Sequence, residues 1–149
     1  MDLDETDRAI LRVLRADART PFSEIARRVN GTSDSVRDRV SRMEDAGVIE
    51  GYHAAVNAPA LGYDVEALVS LEVTQRNVDD VLAALATIDA VRDRHLTAGE
   101  WDLVLRVVVE DVDALRTLVH DRIPRIEDVV RSRTTLVLDT ETGTGGLQS

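Results

Sequence analysis

The chain has 149 residues and is 44% hydrophobic. That is enough for one ordinary domain or two small ones with packed cores, and it excludes wholesale disorder. No segment reaches the roughly 18 uninterrupted apolar residues a membrane-spanning helix needs. The acidic start Met1-Asp2-Leu3-Asp4-Glu5-Thr6-Asp7 lacks the basic and apolar regions of a secretory signal, so the expectation is a soluble, cytoplasmic protein with no membrane partner. The absence of cysteine excludes a disulfide frame, thiolate metal sites and a cysteine nucleophile.

All 18 cationic side chains are Arg and none is Lys, against 28 Asp and Glu, giving a net charge of -10. An acidic surface of this kind stays hydrated in concentrated salt and points to a halophilic source, although the absence of Lys also fits GC-rich coding. The charge is uneven. Residues 1–52 carry 9 Arg against 11 acids, and residues 53–149 carry 9 against 17, so a polyanionic partner belongs to the N-terminal third.

In that third, Ile10, Val13 and Leu14 mark one face of a helix over Glu5 to Ala16, capped by Asp4. A second helix starts at Thr20-Pro21, with Thr20 as cap and Pro21 in the first turn, and buries Phe22, Ile25, Ala26 and Val29. Asn30-Gly31 permits left-handed backbone, Thr32 or Ser33 caps a third helix with Val36, Val40 and Met43 inward, and Gly47 ends it. Two short helices joined by a tight turn and covered by a third form a helix-turn-helix pattern. Val48 to His53 reads as a strand leaving this module, which makes it winged-helix-like, with Val48 and Ile49 closing the small core. The outward side of the third helix carries Ser33, Asp34, Ser35, Arg37, Asp38, Arg39 and Arg42. Hydroxyls and Arg forks on such a face suit base edges and phosphates, and a solvated helix surface is the plainer alternative.

From Val65 the period becomes two: Val65, Ala67, Val69, Leu71 and Val73 share one face of a strand. Asn77 is placed to cap a helix with Val78, Val81, Leu82, Leu85 and Ile88 inward, followed by a strand from Val91 to Leu96. The pattern repeats as a strand from Leu103 to Val109, cap Asp111, a helix with Val112, Leu115, Leu118, Val119 and Arg122, and a last strand near Thr134 to Leu138. A doubled strand–helix–strand unit gives a ferredoxin-like βαββαβ domain, so the fold class is α+β. Both helices then cover one sheet face. The other face, with Leu68, Val104, Val108 and Val137, calls for a second subunit. The expected division is 1–52 for the helix-turn-helix, 53–63 for a hinge containing Asn57-Ala58-Pro59-Ala60-Leu61-Gly62, 64–139 for the ferredoxin-like domain and 140–149 for a mobile tail.

Enzymatic signals are weak. His53, His95 and His120 lack metal-ligand spacing, Asp79-Asp80 falls at a helix start where it favours the dipole, and no nucleophile–base pair stands out, so no enzyme, metal or cofactor is expected.

The runs Leu3-Asp4-Glu5-Thr6-Asp7-Arg8-Ala9-Ile10-Leu11, Asp17-Ala18-Arg19, Glu24-Ile25-Ala26-Arg27-Arg28-Val29, Ser35-Val36-Arg37-Asp38-Arg39-Val40 and Gly47-Val48-Ile49-Glu50-Gly51-Tyr52 resemble the Lrp/AsnC feast/famine transcription regulators. Gly99-Glu100-Trp101-Asp102-Leu103-Val104-Leu105 resembles that family's Gly-x-aromatic-Asp signature. The resemblance spans about Leu3 to Asp139. It implies a sequence-specific regulator of double-stranded DNA that forms a homodimer, in many members an octamer, and responds to an amino acid or related metabolite. The DNA contacts it implies are Ser33, Ser35, Arg37, Arg39 and Arg42. The effector pocket it implies is lined by Leu96, Thr97, Ala98, Gly99, Trp101 and Asp102, with Thr135, Leu136 and Val137 at a subunit interface. Gly99 would let backbone N–H groups approach an α-carboxylate and Asp102 would take an α-ammonium. The plainer alternatives are a hairpin glycine, a capping carboxylate and a packing indole. Departures from the family lie at Asn30-Gly31 in the turn, at Ser33 where a Pro is usual, and at Asp34 and Asp38, which repel phosphate unless they pair with Arg37 or Arg42 or accept from cytosine N4. Two other functions fit the same pattern: a metabolite-binding module acting through protein contacts, and sequence-tolerant DNA compaction.

Overall fold

The computed structural model describes residues 1–74 and 77–141, and these fall into two compact units, Met1–Ala55 and Val56–Glu141. The expected tail at 140–149 lies almost wholly outside the described residues.

The first unit is built from α1 (Glu5–Ala16), α2 (Phe22–Arg28) and α3 (Ser33–Asp45). Asp4 caps α1 in a reciprocal box: its carboxylate accepts the Asp7 N–H at 2.8 Å, and the Asp7 carboxylate accepts the Asp4 N–H at 3.1 Å. The bond from the Asp7 backbone, with Arg39 behind it, holds the Asp4 carboxyl below its usual pKa. That contribution is present at neutral pH and is lost as acidification protonates the group in the fold.

One expected cap differs. Pro21, not Thr20, occupies the N-cap position of α2, and Thr20 instead donates its hydroxyl to the Asp17 carbonyl at 2.8 Å, closing the α1–α2 turn. Between α2 and α3, Asn30 takes the left-handed conformation (φ 55°), and Gly31 N–H returns to the Ala26 carbonyl at 2.9 Å. Thr32 caps α3 through Ser35 N–H. Gly47 (φ +70°) ends it in a two-bond motif, Gly47 N–H to Glu44 and Val48 N–H to Met43.

Ile10, Leu14, Ile25, Ala26, Val36, Val40 and Met43 form the core of this unit, and Val48 and Ile49 pack on it as expected. The strand expected over Val48 to His53 does not form, so α3 is followed by no wing. The segment is tied down by its aromatic side chain, since the Tyr52 hydroxyl donates to Glu44 at 2.7 Å.

The second unit holds β1 (Val65–Val73), α4 (Val78–Ala86), β2 (Val91–Leu96), β3 (Leu103–Val109), α5 (Val112–Thr117) and β4 (Val129–Val137). Its antiparallel sheet has the order β2-β3-β1-β4, the ferredoxin-like arrangement. Alternation puts Ala67, Val69 and Leu71 of β1 beside Leu103, Leu105 and Val107 of β3 on the face covered by Val81, Leu85, Leu115 and Leu118. All six strand residues are fully buried.

Three expectations shift. Asn77 makes no side-chain cap for α4; its amide donates to Asp128 at 2.8 Å, next to the Thr74 N–H to Asp128 carbonyl bond that ties β1 to the start of β4. The second helix is short, since after Thr117 the backbone widens into a π turn (Leu118–Arg122) and tightens into a 3-10 turn (Ile123–Arg125), and Val112, expected inward, is exposed at its first position. β4 starts at Val129 rather than near Thr134, because Arg131 stands opposite Glu72 and makes a polar stretch a good cross-strand match.

Tyr52 carries a test. Burial, with the bond to Glu44 behind it, pushes its hydroxyl up to about 12. A raised phenol pKa means the stability it contributes is full below about pH 10 and is lost as pH rises toward the folded value. Absorbance at 295 nm in a Tyr63→Phe background is expected to show this late ionisation, and Glu44→Gln to move it back toward 10.

Candidate functional sites: the outward face of α3 and the β2–β3 turn

In α3, Val36, Val40 and Met43 turn inward, so the 3.6-residue repeat leaves Ser35, Arg37, Asp38 and Arg42 outward. Ser33, at the first turn, is half-buried. An open hollow along the helix is lined by Ser35, Asp38, Arg39, Ser41 and Arg42. Ser41 is the member the sequence reading passed over; its spacing of four from Arg37 was the signal available. Arg37 is well exposed, pairs through Nη1 with Asp34 at 2.9 Å, and lies 6.0 Å from the Phe22 ring centroid. The acid at position 34 is thereby partly neutralised by the helix itself.

Arg39 has a different task. Its Nη1 donates to Asp4 Oδ2 and Asp7 Oδ1, both at 2.7 Å, and its side chain is 24% exposed against 62% for Arg37. The hydrogen bonds it donates to these two carboxylates raise its pKa. The sequence set Arg39 beside Arg37 and Arg42 as DNA contacts; the structure ties its guanidinium to the α1 cap while its side chain also lines the hollow beside Ser35 and Arg42.

In the second unit the β2–β3 turn gathers Leu96, Thr97, Ala98, Gly99, Trp101 and Asp102. Thr97 closes it twice, with its N–H to the Asp102 carbonyl at 2.9 Å and its hydroxyl to the Trp101 carbonyl at 2.6 Å. Gly99 has φ +148°, which disfavours any side chain, and nothing stands where a Cβ would project. Asp102 is anchored to β1: its N–H donates to the Leu71 carbonyl at 3.0 Å and its Oδ2 accepts the Val73 N–H at 2.9 Å. One of its carboxylate oxygens is thus committed to the fold.

Trp101 is half-buried, and Arg131 stacks on it with the guanidinium 4.4 Å from the ring centroid. Arg131 also pairs with Glu72 at 2.9 Å and approaches Glu100 at 3.9 Å. Sequence reasoning missed this residue, since only strand register brings position 131 to the turn. Thr135, Leu136 and Val137 are not brought to the turn within one chain. Leu103 aligns with Leu71 and Leu71 with Ser132, so they lie three to five residues, about 10–17 Å, further along β4. Leu136 aligns with Ala67 on the helix-covered side, and Thr135 and Val137 lie on the opposite face.

That opposite face is less apolar than expected. Val108 is only 4% exposed, already covered by its own chain, while Leu68 is 38% exposed. Arg106, opposite Leu68, pairs with Glu66 at 2.7 Å and Asp93 at 3.3 Å. Among the described residues no three His, Asp or Glu side chains converge as a metal site.

A helix-turn-helix unit with an Arg-bearing second helix, followed by a ferredoxin-like unit with a glycine-containing turn, defines a DNA-binding regulator with a separate ligand module. Residues 3–44 match the AsnC-type helix-turn-helix domain and residues 66–146 the Lrp/AsnC ligand binding domain. The chain is 34% identical over 138 residues to the HTH-type transcriptional regulator Ptr1 of Methanocaldococcus jannaschii, covering 93% of each. It is similar in structure to Escherichia coli AsnC (27% identical, 97% and 98% covered, TM-score 0.89). It is also similar to a feast or famine regulatory protein from M. tuberculosis complexed with L-methionine (36% identical, 96% and 97% covered, TM-score 0.89). The chain belongs to the Lrp/AsnC family and is a helix-turn-helix transcriptional regulator.

The anchoring of Asp102 gives a direct test. Asp102→Ala leaves the Val73 N–H without its acceptor and is expected to cost about 1–3 kcal/mol, with Asp102→Asn recovering most of it. Urea unfolding followed by Trp101 fluorescence, which reports the second unit, measures both.

Proposed function

We propose that the protein regulates transcription as a homodimer that reads a specific operator through paired α3 helices and is modulated by an amino acid bound at the β2–β3 turn. In this reading residues 1–52 bind DNA, 53–63 act as a hinge, and 64–139 dimerise and bind the effector. The observation that carries it is the outward face of α3, where Ser35, Arg37 and Arg42 are exposed on a helix whose other side is fixed in a core. Paired Arg forks and a hydroxyl at a helix surface can enter a major groove, and a dimer sets two such helices one helical turn of DNA apart.

Dimerisation is supported by the helix-free sheet face, where Leu68, Val104 and Val137 leave apolar surface beside the Arg106 ion pairs. Effector binding is supported by the M. tuberculosis relative complexed with L-methionine and by the turn itself. Gly99 leaves room for a carboxylate at the backbone, and the second carboxylate oxygen of Asp102 suits an ammonium. Thr135 and Val137, remote from the turn in one chain, would join the pocket from a neighbouring subunit. The acidic composition argues for a cytoplasm rich in salt, so binding belongs in molar KCl.

Fluorescence anisotropy of a duplex from the gene's own upstream region against a scrambled duplex, with single amino acids added, tests the proposal. Preference for the native duplex, shifted by one amino acid, is expected; equal binding to both favours DNA compaction, and no binding favours a ligand-sensing module. Arg37→Ala and Arg42→Ala are each expected to cost about 1–3 kcal/mol of binding to the native duplex. Unchanged affinity in both would remove α3 from the interface.

A further inference from the structure

Asp7 is the one buried charged residue among the described residues, at 2% exposure, and it sits in the small core of the first unit. A carboxylate there is tolerated only if its oxygens are bonded and its charge is met. Both conditions hold. Oδ2 accepts the Asp4 N–H at 3.1 Å and Oδ1 accepts Arg39 Nη1 at 2.7 Å, from a residue 32 positions away on α3. The same Nη1 reaches Asp4 Oδ2 at 2.7 Å. The capping box that starts α1 therefore doubles as a socket for a side chain of α3.

The position of Arg39 on α3 makes this socket an orienting device. At 100° per residue, Arg37 and Arg39 lie on opposite flanks of the helix, about 160° apart. Arg39 borders the inward stripe of Val36, Val40 and Met43, on the side facing α1. Apolar contacts alone let a helix roll by small amounts, because dispersion is weakly directional, whereas charge-assisted hydrogen bonds fix one rotation. That rotation sets where Ser35, Arg37 and Arg42 point.

We propose that Arg39 is a positioning residue for DNA reading: it locks the rotation of α3 against the Asp4–Asp7 capping box and makes no DNA contact of its own. The inference rests on α3 being the reading helix. The test uses the full chain and the anisotropy assay, with Asp7→Ala, Arg39→Gln, the double variant and Arg39→Lys, and far-ultraviolet circular dichroism confirms that the helices are retained. Asp7→Ala and Arg39→Gln are each expected to weaken binding to the native duplex about tenfold, with the double variant no weaker than either. Arg39→Lys, able to reach one carboxylate, is expected to recover part of the loss. The dependence of affinity on KCl is expected to stay that of the parent, while losing a phosphate contact, as in Arg42→Ala, changes the slope by about 0.9.

Should Arg39→Gln shift the slope by that amount while Asp7→Ala binds normally, Arg39 touches DNA and the proposal fails. If Asp7→Ala loses its helical signal, the isosteric Asp7→Asn takes its place with the same expectations. Intact binding in the Asp7 variants alongside loss in Arg42→Ala overturns this proposal alone. Loss in the Asp7 variants with intact binding in both Arg37→Ala and Arg42→Ala overturns the reading of α3, and this proposal with it.

Discussion

A carboxylate sheltered inside a three-helix unit constrains everything packed around it, because its oxygens need hydrogen-bond donors and its charge needs a partner. In this chain Asp7 meets those demands by joining two jobs: it completes the α1 cap and it receives Arg39 from α3. The relative rotation of the first and third helices then follows, and with it the presentation of the Ser35, Arg37 and Arg42 side chains. A unit this small has little apolar area to spare for defining a unique packing, and the two directional bonds from Arg39 of α3 to the α1 cap supply that definition.

The second unit solves a different problem. Its sheet is covered along β1 and β3 on one side by α4, α5 and the turns after it, and carries on the other side a mixture of Leu68, Val104 and ion pairs centred on Arg106. Such a face is polar enough to remain hydrated and apolar enough to be covered, which suits a subunit contact. The turn between β2 and β3 is held from several directions, by Thr97 within it, by Asp102 to β1 and by Arg131 stacked on Trp101. A ligand arriving at Gly99 would meet a pre-organised backbone and need little ordering of it.

Much of the fold was legible in the sequence because period and punctuation agree. The apolar stripes of α1 and α3, the Asp4 and Asp111 caps, the Gly47 stop and the alternation in β1 and β3 each have a local cause. Errors fell where local chemistry had a competitor. Thr20 bonds backward to Asp17 rather than forward, Asn77 bonds across to Asp128, and Val48 to His53 looks like a strand but finds no neighbouring strand to pair with. Residues 129–133 look too polar for a strand until Glu72 is placed opposite Arg131.

The sequence by itself determined the two-unit organisation, the doubled βαβ pattern, the family and the helix that presents Arg37 and Arg42, since these depend on residues close together in the chain. Only the tertiary structure decided which arginine faces outward and which is tied down. Arg37, Arg39 and Arg42 are alike as side chains and the helical repeat sets them on different flanks of α3, but that Arg39 is tied down comes from Asp4 and Asp7, more than thirty positions away. The stacking of Arg131 on Trp101 was hidden for the same reason, because partners distant in sequence meet only when helix packing and strand register bring them together.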